Sequence, residues 1–308
     1  MQNKLLKKIK KRFKQLLKTF YMKHIRKFIR FTSYPFISGD TFRKESNHVL
    51  DEIRKINISK VNHNDRLFVK ADFLDHFSEI ISPKIDKKVS VIFHNSDQSF
   101  SKNDLQKFRN KKFLIFAQNL DIDLNENDNV FPLPIGIENK SYLINGKIRN
   151  FTNSMKYSSE VEKKDKILCA FNPNTNSERL IIRDIASKSL MIELLRFSGH
   201  EVYLKKLAEY KFSLCPEGNG IDTHRFWESL MVETIPVVKE NNLNNNFKNL
   251  GVPCLILKDW TELKNLSKNE LNHYYADNLE ILKKKNYIYF DFWKKFIDSK
   301  EKVFFNQS

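Results

Sequence analysis

The stretch YKFSLCPEGNGIDTHRFWESLMVETIPVVK, residues 210–239, decides the fold. Its apolar run at 212–215 predicts a strand, and the turn of Pro, Glu, Gly and Asn that follows leads into a helix predicted over 222–232. A second apolar run at 235–238 predicts the next strand. A strand, a helix and a further strand in this order indicate a unit of a parallel α/β sheet, in which ligands bind beyond the carboxyl ends of the strands.

The same alternation continues on both sides of this unit. Further strands are predicted at 67–69, 89–93, 113–116, 130–133, 167–171, 201–204 and 254–257, and helices at 45–56, 72–81, 102–110 and 177–197. A polar stretch without periodicity, 146–166, predicts the connection between two α/β halves. The chain is therefore expected to comprise an N-terminal segment 1–31, Rossmann-like domains at 32–150 and 151–266, and a helical C-terminal tail 267–308.

Positive charge is concentrated at the N-terminus. The chain has 54 Lys and Arg against 37 Asp and Glu, a formal net charge of +17. Residues 1–39 contain twelve of the basic residues and no acidic one, so the other 269 residues have a net charge of only +5. Apolar residues recur at spacings of three and four over 4–31, which predicts a basic amphipathic helix. Such a helix suits an anionic membrane surface, and the alternatives are a helix packed on its own domain or a nucleic-acid-binding arm.

Other features restrict the class of protein. The cysteines, Cys169, Cys215 and Cys254, are far apart, which disfavours a disulfide framework or a zinc ribbon and favours a reducing setting. No apolar run approaches the roughly 20 residues of a membrane-spanning helix, and the charged N-terminus lacks the apolar core of a signal peptide. The expected location is the cytoplasm, peripheral on the inner face of the cell membrane. No spacing typical of a metal site occurs, so neither a metal nor another cofactor is expected.

Charged residues share one face of the predicted helix at 222–232. Asp222, Arg225 and Glu228 follow one another at intervals of three and lie within a sector of about 120°. The helix N-terminus and the glycine-flanked amides offer donors to an anion. Arg225 can hold phosphate oxygens through two hydrogen bonds, and Glu228 can accept both hydroxyls of a ribose. A nucleotide diphosphate fits this pattern, and a capped helix with an ordinary surface ion pair is the alternative.

The run FSLCPEGNGIDTHRFWESLMVETIPVV resembles the signature of exostosin-type glycosyltransferases (family 47 and its bacterial relatives). It is also similar, more loosely, to the donor segment of bacterial α-1,3-fucosyltransferases. The resemblance covers about thirty of the 308 residues. It implies a GT-B architecture, in which two Rossmann-like domains face a cleft and the C-terminal domain holds a nucleotide-sugar donor. The chain departs from the pattern at Glu233, where the family usually has Gly before the IPV strand.

The resemblance also implies roles for individual residues. Glu228 matches the glutamate that binds the ribose, and Arg225 matches the basic residue near the diphosphate. The donor-side turn corresponds to Glu217, Gly218, Asn219 and Gly220. Apart from the resemblance, Arg179 at the start of the helix predicted over 177–197 is a candidate for a second contact of the diphosphate, and a solvated helix face is the alternative. His224 is a further candidate for the donor site.

The catalytic base is expected mainly on the N-terminal domain. The strand at 89–93 leads into His94 and Asp97, and either side chain can take the proton of an acceptor hydroxyl while the nucleotide diphosphate leaves. A hydrogen-bonded core histidine and a helix-capping aspartate are the structural alternatives for these two residues. Asp222 and His224 are rival candidates for the base. Inversion at the anomeric carbon is implied by the resemblance alone.

These observations predict a glycosyltransferase that moves a sugar from a nucleotide sugar to a glycan or lipid-linked acceptor. In bacteria such a transfer would build a surface polysaccharide, such as capsule or lipopolysaccharide. A GDP-fucose-using fucosyltransferase is the nearest competitor, because no residue of the pattern identifies the nucleotide base. A basic nucleic-acid-binding protein and a relative that binds glycans without turnover are the alternatives outside the enzymes, although no nucleic-acid partner is expected.

Overall fold

Two five-stranded parallel sheets form the body of the protein. The structure, a computed structural model, describes residues 12–109, 112–124, 129–196 and 199–306. In spatial order the first sheet contains β1 (His48–Leu50), β2 (Arg66–Lys70), β3 (Val89–His94), β5 (Phe113–Ala117) and β7 (Val130–Pro132). The second contains β12 (Leu255–Leu257), β11 (Ile235–Lys239), β10 (Tyr210–Leu214), β8 (Lys164–Cys169) and β9 (Ile192–Leu194). A separate parallel pair consists of β4 (Phe100–Ser101) and β6 (Leu120–Asp121).

Helices connect the strands. They are α1 (12–20), α2 (Gly39–Lys44), α3 (Leu74–His76), α4 (Lys102–Gln106), α5 (Ile148–Ser158), α6 (Glu178–Ser187), α7 (His200–Ala208), α8 (His224–Met231), α9 (Asn242–Asn249), α10 (Lys268–Lys284) and α11 (Phe290–Asn306). Every residue of β3 and of β5 is buried. Such continuous apolar runs are typical of parallel strands that are covered on both faces, and this is why the sequence pattern revealed them.

The strand order of the second sheet reverses next to β8. The chain runs from β8 outward to β9, crosses back to β10 on the other side of β8, and continues outward to β11 and β12. All pairs in this sheet are parallel, so the carboxyl ends of β8 and β10 open the same crevice. In open α/β sheets a ligand binds at such a reversal. The loops after β8 and β10 are therefore the first places to look for chemistry.

The crevice of the second sheet faces the first domain. The loop after β7 reaches the start of α8, where the N–H of Ile135 donates to Asp222 at 2.7 Å and His224 donates to the carbonyl of Gly136 at 2.7 Å. The prediction of an α/β chain with two Rossmann-like domains that face a cleft, the GT-B arrangement, is confirmed. The residue numbers proposed for the domain limits stay a prediction.

The C-terminal helices belong to different domains. α10 packs beside β8 of the second sheet. α11 returns to the first sheet, where Phe296 contacts Phe116 with ring centroids 6.4 Å apart. On the same helix Trp293 is fully buried and contacts Trp227 of α8 edge-on at 6.0 Å. Because one helix packs on both domains, α11 stabilises their relative position.

The predictions around residue 200 were wrong. The strand predicted at 201–204 is part of α7, and the helix predicted over 177–197 ends at Ser187 and is followed by β9; residue 197 lies outside the described residues. Burial recurs at helical spacings along α7, at Tyr203, Leu204, Leu207 and Ala208. A short apolar run such as VYL does not distinguish a strand from one buried side of a helix, so the alternation misled the assignment.

Two other segments also differ from the predictions. Residues 45–56 contain β1, which pairs with β2, instead of a helix. The polar stretch 146–166 contains α5, which packs against α7. Of the three buried residues of α5, only Phe151 is apolar, since the others are Ser154 and Ser158. The partly buried Ile148 and Met155 extend its apolar side at spacings of three and four, a short periodicity that the surrounding polar and charged residues obscured.

The N-terminal arm, residues 12–31, is helical in its first part and leaves its apolar side uncovered. Residues 4–11 of the predicted amphipathic helix lie outside the described residues. The exposed fractions are 61% for Phe13, 68% for Leu16, 53% for Leu17 and 56% for Phe20. The arm joins the first domain further along, where the Tyr21 hydroxyl donates to the Ser141 carbonyl at 3.0 Å. Among the helices that the structure describes, none is long and apolar enough to cross a membrane.

Candidate functional site

A cavity of about 1640 Å³ occupies the crevice at the reversal of the second sheet; we call it the main cavity. Its walls are the loop after β8, the turn between β10 and α8, the start of α8, and parts of the first domain. The basic residues that line it are Lys18, Lys147, Arg179, Arg183, Arg196 and Arg225, and the acidic ones are Asp97, Glu201, Asp222 and Glu228. Six cations against four anions favour an anionic ligand.

Asp222 joins the two domains instead of capping α8. The helix begins at His224, and its N-cap residue is Thr223. The Asp222 carboxylate accepts the N–H of Ile135 at 2.7 Å and the indole N–H of Trp227 at 2.9 Å. Burial raises the pKa of this carboxyl to about 7, although both donors act in the opposite direction. Because protein donors occupy its oxygens, Asp222 suits a structural role better than that of a base.

Glu228 is a buried carboxylate on the wall of the main cavity, with 6% of its surface exposed. His200 Nε2 donates to Oε1 of Glu228 at 2.8 Å, and Oε2 has no hydrogen bond to a described residue. Burial by itself would raise the pKa of Glu228, but the hydrogen bond from His200 and the nearby positive charge of Arg225 hold it below its ordinary value. Glu228 is therefore an ionised acceptor with one oxygen left for a ligand.

Arg225 lies beside two aromatic rings. Its guanidinium carbon is 6.0 Å from the ring centroid of Phe171 and 5.8 Å from that of Tyr203, whose hydroxyl also interacts with the guanidinium. Nη2 donates to the Ala170 carbonyl at 3.2 Å, and Nε is buried without a hydrogen-bond partner. These aromatic contacts place the guanidinium at the cavity wall. Donor capacity remains for a phosphate group.

Arg179 also lines the main cavity but uses most of its donors within the protein. Its N–H groups donate to the carbonyls of Asn172, Pro216 and Glu217 and to the Thr175 hydroxyl, at distances between 2.6 and 3.0 Å. Burial, together with the nearby charge of Arg225, lowers the pKa of Arg179 to about 10. Four of its five donors are occupied. Arg179 therefore connects the loops after β8 and β10, and it can offer a phosphate a single N–H at most.

The two glycines of the turn before α8 have different neighbours. A Cβ at Gly220 would lie 2.7 Å from Asn119 Nδ2 and 3.0 Å from the carbonyl oxygen of Asp97, both in the first domain. At Gly218 the nearest atom would be Nη2 of Arg179, at 3.3 Å. The contact between the domains, and not the approach of a ligand, is therefore what requires glycine at position 220.

The other two residues of the turn, Asn219 and Glu217, differ in whether they line the main cavity. Asn219 lines the main cavity, and its Nδ2 donates to Asp97 at 3.3 Å across the cleft. Glu217 accepts a hydrogen bond from Asn241 Nδ2 at 3.0 Å. In the part of the chain that the structure describes, neither Glu217 nor Asn241 lines the cavity. The Glu217 side chain is thus not among the groups that meet a ligand there.

His94 is enclosed in the first domain. Its Nδ1 accepts the N–H of Asn95 at 2.7 Å, and its Nε2 donates to the Pro134 carbonyl at 3.0 Å. Burial lowers the pKa of His94 to about 4, so the ring is neutral near pH 7. With both ring nitrogens occupied, His94 has no free position for the proton of an acceptor. Asp97, by contrast, is exposed at the rim of the cleft.

His224 lies where the main cavity meets a second cavity of the first domain. Its Nδ1 donates to the Gly136 carbonyl at 2.7 Å, and Nε2 has no hydrogen bond to any residue that the structure describes. A neutral imidazole held in this tautomer can accept a proton at Nε2.

The partner of His224, Gly136, is at a position that requires glycine. Its backbone has φ +67°, and a Cβ there would lie 2.3 Å from the Ile37 carbonyl oxygen.

Most of the predicted site residues thus meet at the main cavity. Those that line it are Asp97, Arg179, Gly218, Asn219, Gly220, Asp222, His224, Arg225 and Glu228. The residue that sequence reasoning missed is His200, which holds Glu228. The only signal for it was a His directly after Gly199 at the start of an amphipathic pattern, and the strand predicted at 201–204 obscured that signal.

The cysteines and the potential metal ligands of the described residues give no further evidence about the function of this site. All three cysteines are free and buried. Within the described ranges no group of three or more His, Cys, Asp and Glu side chains is arranged to hold a metal ion. Independence from metals and other cofactors stays a prediction.

Comparison with known proteins gives structural similarities at low sequence identity. No protein-family model and no curated protein matches the sequence. Solved structures that are similar include the trehalose-6-phosphate protein from E. coli bound with UDP-2-fluoro glucose, with a TM-score of 0.46 and 10% identity over 78% of this chain and 74% of that one. Another is an α,α-trehalose-phosphate synthase (UDP-forming) from Burkholderia vietnamiensis, with a TM-score of 0.41 and 9% identity over 80% and 72% of the two chains. Similarities at this distance do not assign an activity.

Alanine at position 220 should loosen the contact between the domains. The added Cβ of Gly220→Ala displaces Asn119 or the turn itself, so we expect a loss of about 1–3 kcal/mol in the free energy of unfolding. Gly218→Ala is the matched control on the same turn, because its Cβ would meet no atom of the first domain and would lie 3.3 Å from its nearest neighbour, Nη2 of Arg179, so its effect should stay below about 1 kcal/mol. Urea unfolding of both variants measures the difference. Equal losses would contradict the assignment of Gly220 to the domain contact.

Proposed function

We propose that the protein is a glycosyltransferase that moves a sugar from a nucleotide-sugar donor to a glycan or lipid-linked acceptor. The observation that carries this proposal is Glu228, a buried carboxylate at the reversal of the second sheet, with Oε1 held by His200 and Oε2 unpaired among the described residues. One helical turn away, Arg225 retains donors for an anion. The hydroxyls of a ribose can donate to Glu228, and the oxygens of a diphosphate can accept from Arg225.

The diphosphate of the donor would lie near the N-terminus of α8. The positive end of the helix dipole and the first amides of the helix attract anions. Arg225 adds a full positive charge, and the other cations of the main cavity add to the local potential. In a cleft of this kind, fixed donors stabilise the charge that develops on a departing nucleotide diphosphate. In this arrangement, residues of the chain alone stabilise the negative charge of the departing diphosphate.

His224 is the base that the geometry supports best. The nitrogens of His94 are both occupied, and the oxygens of Asp222 accept hydrogen bonds from the protein. His224 has an available Nε2 at the junction of the two cavities, where a donor and an acceptor would meet. Asp97 remains the second candidate, because it lines both cavities and is exposed. An inverting transfer, which the resemblance implies, needs only one such base.

The resemblance of residues 212–238 to exostosin-type enzymes supports a place in the synthesis of a bacterial surface polysaccharide such as capsule or lipopolysaccharide. The looser resemblance to α-1,3-fucosyltransferases makes a guanine nucleotide the competitor of a uridine nucleotide. Binding of UDP, GDP, UDP-glucose and GDP-fucose to the same preparation distinguishes the two donor classes directly.

Glu228→Gln should weaken nucleotide binding about ten- to a hundredfold, as expected for a lost hydrogen bond to a charged group. Isothermal titration calorimetry with the four nucleotides measures this change. Glu201→Gln is the matched control, because Glu201 also lines the main cavity but its side chain is 49% exposed and should bind no ribose. Unchanged affinity in Glu228→Gln, or no nucleotide binding by the wild-type protein, would refute the donor site.

His224→Ala should lower turnover by about 10²- to 10⁴-fold, the usual contribution of a general base, and should leave the nucleotide dissociation constant within about twofold. Release of nucleotide diphosphate from the donor, with water as acceptor, provides the rate. Asp97→Asn tests the rival base under the same conditions. If Asp97→Asn abolishes turnover and His224→Ala does not, the assignment of the base is wrong.

The N-terminal arm supports attachment to an anionic membrane as part of the proposed function. Its exposed apolar residues are large, and residues 12–31 carry seven Lys and Arg and no Asp or Glu. Apolar side chains that insert between lipid headgroups, and basic residues that each add about 1 kcal/mol near an anionic surface, suit such an arm. The protein would then be peripheral on the inner face of the cell membrane, where a lipid-linked acceptor is found.

Replacement of Phe13, Leu16, Leu17 and Phe20 by Ser should abolish co-sedimentation with phosphatidylcholine vesicles that contain phosphatidylglycerol. The wild-type protein should bind these vesicles, bind pure phosphatidylcholine weakly, and lose affinity as salt screens the charges. Leu190→Ser, at an apolar residue of the body that is 92% exposed, is the control and should bind as the wild type does. Retained vesicle binding by the quadruple variant, or preferential binding of an oligonucleotide, would contradict the membrane assignment.

A further inference from the structure

A second cavity of about 410 Å³ adjoins the main cavity on the side of the first domain. The two share Asp97, Ile135 and His224. One wall of the second cavity comes from the N-terminal arm, which contributes Arg26 and Arg30. The cavity therefore lies beside the proposed base, in the position that an acceptor must occupy if the donor is held in the main cavity.

The two cavities differ in charge. Three Lys and Arg and four Asp and Glu side chains line the second cavity, whereas cations are in excess in the main one. The charges of the second cavity also pair with one another. Arg30 pairs with Glu52 and lies 3.4 Å from Asp40, and Lys70 is 2.6 Å from Asp72. No excess of positive charge is left to neutralise a phosphate or carboxylate, so an uncharged ligand fits this cavity better.

Arg26 is the unpaired cation of this cavity. Its guanidinium carbon stacks 4.1 Å above the ring centroid of Tyr142. Its side chain has no hydrogen bond or ion pair with a residue that the structure describes. A guanidinium that stacks on a ring keeps its N–H donors in the plane of the group, directed away from the ring. Arg26 thus presents ordered donors that the protein itself does not use.

The other polar residues of the lining include uncharged ones. They are Asn95, Ser96, Gln118, Asn139 and Tyr142. Amide and hydroxyl side chains offer both donors and acceptors, and a sugar hydroxyl both donates and accepts, so a ring with several hydroxyls can pair with such a lining. A phosphate near pH 7 supplies acceptors alone and matches only the donors.

We propose that the second cavity binds a neutral sugar of the acceptor and that Arg26 of the N-terminal arm is a specificity-determining contact for it. The proposal rests on the proposed function, since it takes the main cavity to hold the nucleotide sugar. The same arm then serves two purposes: its apolar side faces the membrane, and its Arg26 side forms a wall of the acceptor site. Deletion of the arm would remove both, so point substitutions are needed to separate them.

The test measures sugar binding to the full chain by saturation-transfer NMR. The probes are methyl glycosides of glucose, galactose, mannose and N-acetylglucosamine, with glucose 6-phosphate as the anionic probe. We expect the wild-type protein to bind at least one neutral glycoside more tightly than the phosphate. Arg26→Gln should weaken that binding about tenfold, equivalent to one strong hydrogen bond. Arg26→Lys, which keeps the charge over Tyr142 but loses the planar donors, should weaken it by a similar factor.

Lys23→Ala is the control, because Lys23 is an exposed cation of the same arm outside this cavity and should change nothing. Tighter binding of glucose 6-phosphate, no binding of any neutral glycoside, or full affinity in both Arg26 variants would overturn the proposal. Nucleotide affinity and hydrolysis of the donor by water should be equal in the wild-type protein and both Arg26 variants. If the wild-type protein binds no nucleotide, the proposed function fails instead, and the two failures are thereby distinguished.

Discussion

The contact between the turn before α8 and the first domain is the constraint on which the cleft depends. Gly220 allows the turn to approach Asn119, whose Oδ1 accepts the N–H of Asp222 at 2.9 Å. The carboxylate of Asp222 then accepts the N–H of Ile135 from the loop after β7. Burial of this carboxylate costs free energy, and donors from both domains offset that cost. These hydrogen bonds fix the distance between the two sheets, because a donor–acceptor distance can change by only a few tenths of an ångström before the bond is lost.

Helix α8 connects this contact between the domains to the residues of the proposed site. Its buried side, with Phe226 and Trp227, anchors it between the second sheet and α11. Its first residue, His224, reaches the first domain through the carbonyl of Gly136, while Arg225 and Glu228 lie on the main cavity. Because one helix carries the proposed base and the proposed donor contacts, their spacing is set by helical geometry and not by the position of flexible loops.

The parts of this arrangement that the sequence predicted are local. The strands at 212–215 and 235–238, the helix between them and its face with Arg225 and Glu228 depend on periodicity within thirty residues. The structure contains them, although Asp222 precedes the helix instead of lying on that face. His94 shows the limit of such reasoning, because a polar residue at the end of a strand enters either the cleft or the core, and the neighbouring elements decide which. The partner of Glu228, His200, precedes it by 28 residues and comes from another helix. Arg26 was one of twelve basic residues in the N-terminal segment, and nothing in its sequence context distinguished it.

The departure from the family pattern at Glu233 has a physical account. This residue has φ +57°, a conformation in which Gly is free of strain and any other residue costs about 1–2 kcal/mol. Its side chain pairs with Lys285 at 2.6 Å, with 14% and 11% of the two side chains exposed, and its carbonyl accepts the Tyr275 hydroxyl at 3.0 Å. These contacts offset the strain and join the end of α8 to α10, so the glutamate does not loosen the helix. Because Glu233 lies beyond the C-terminal end of α8, the substitution leaves the face with Glu228 unaltered, and the donor roles implied by the resemblance do not depend on glycine at this position.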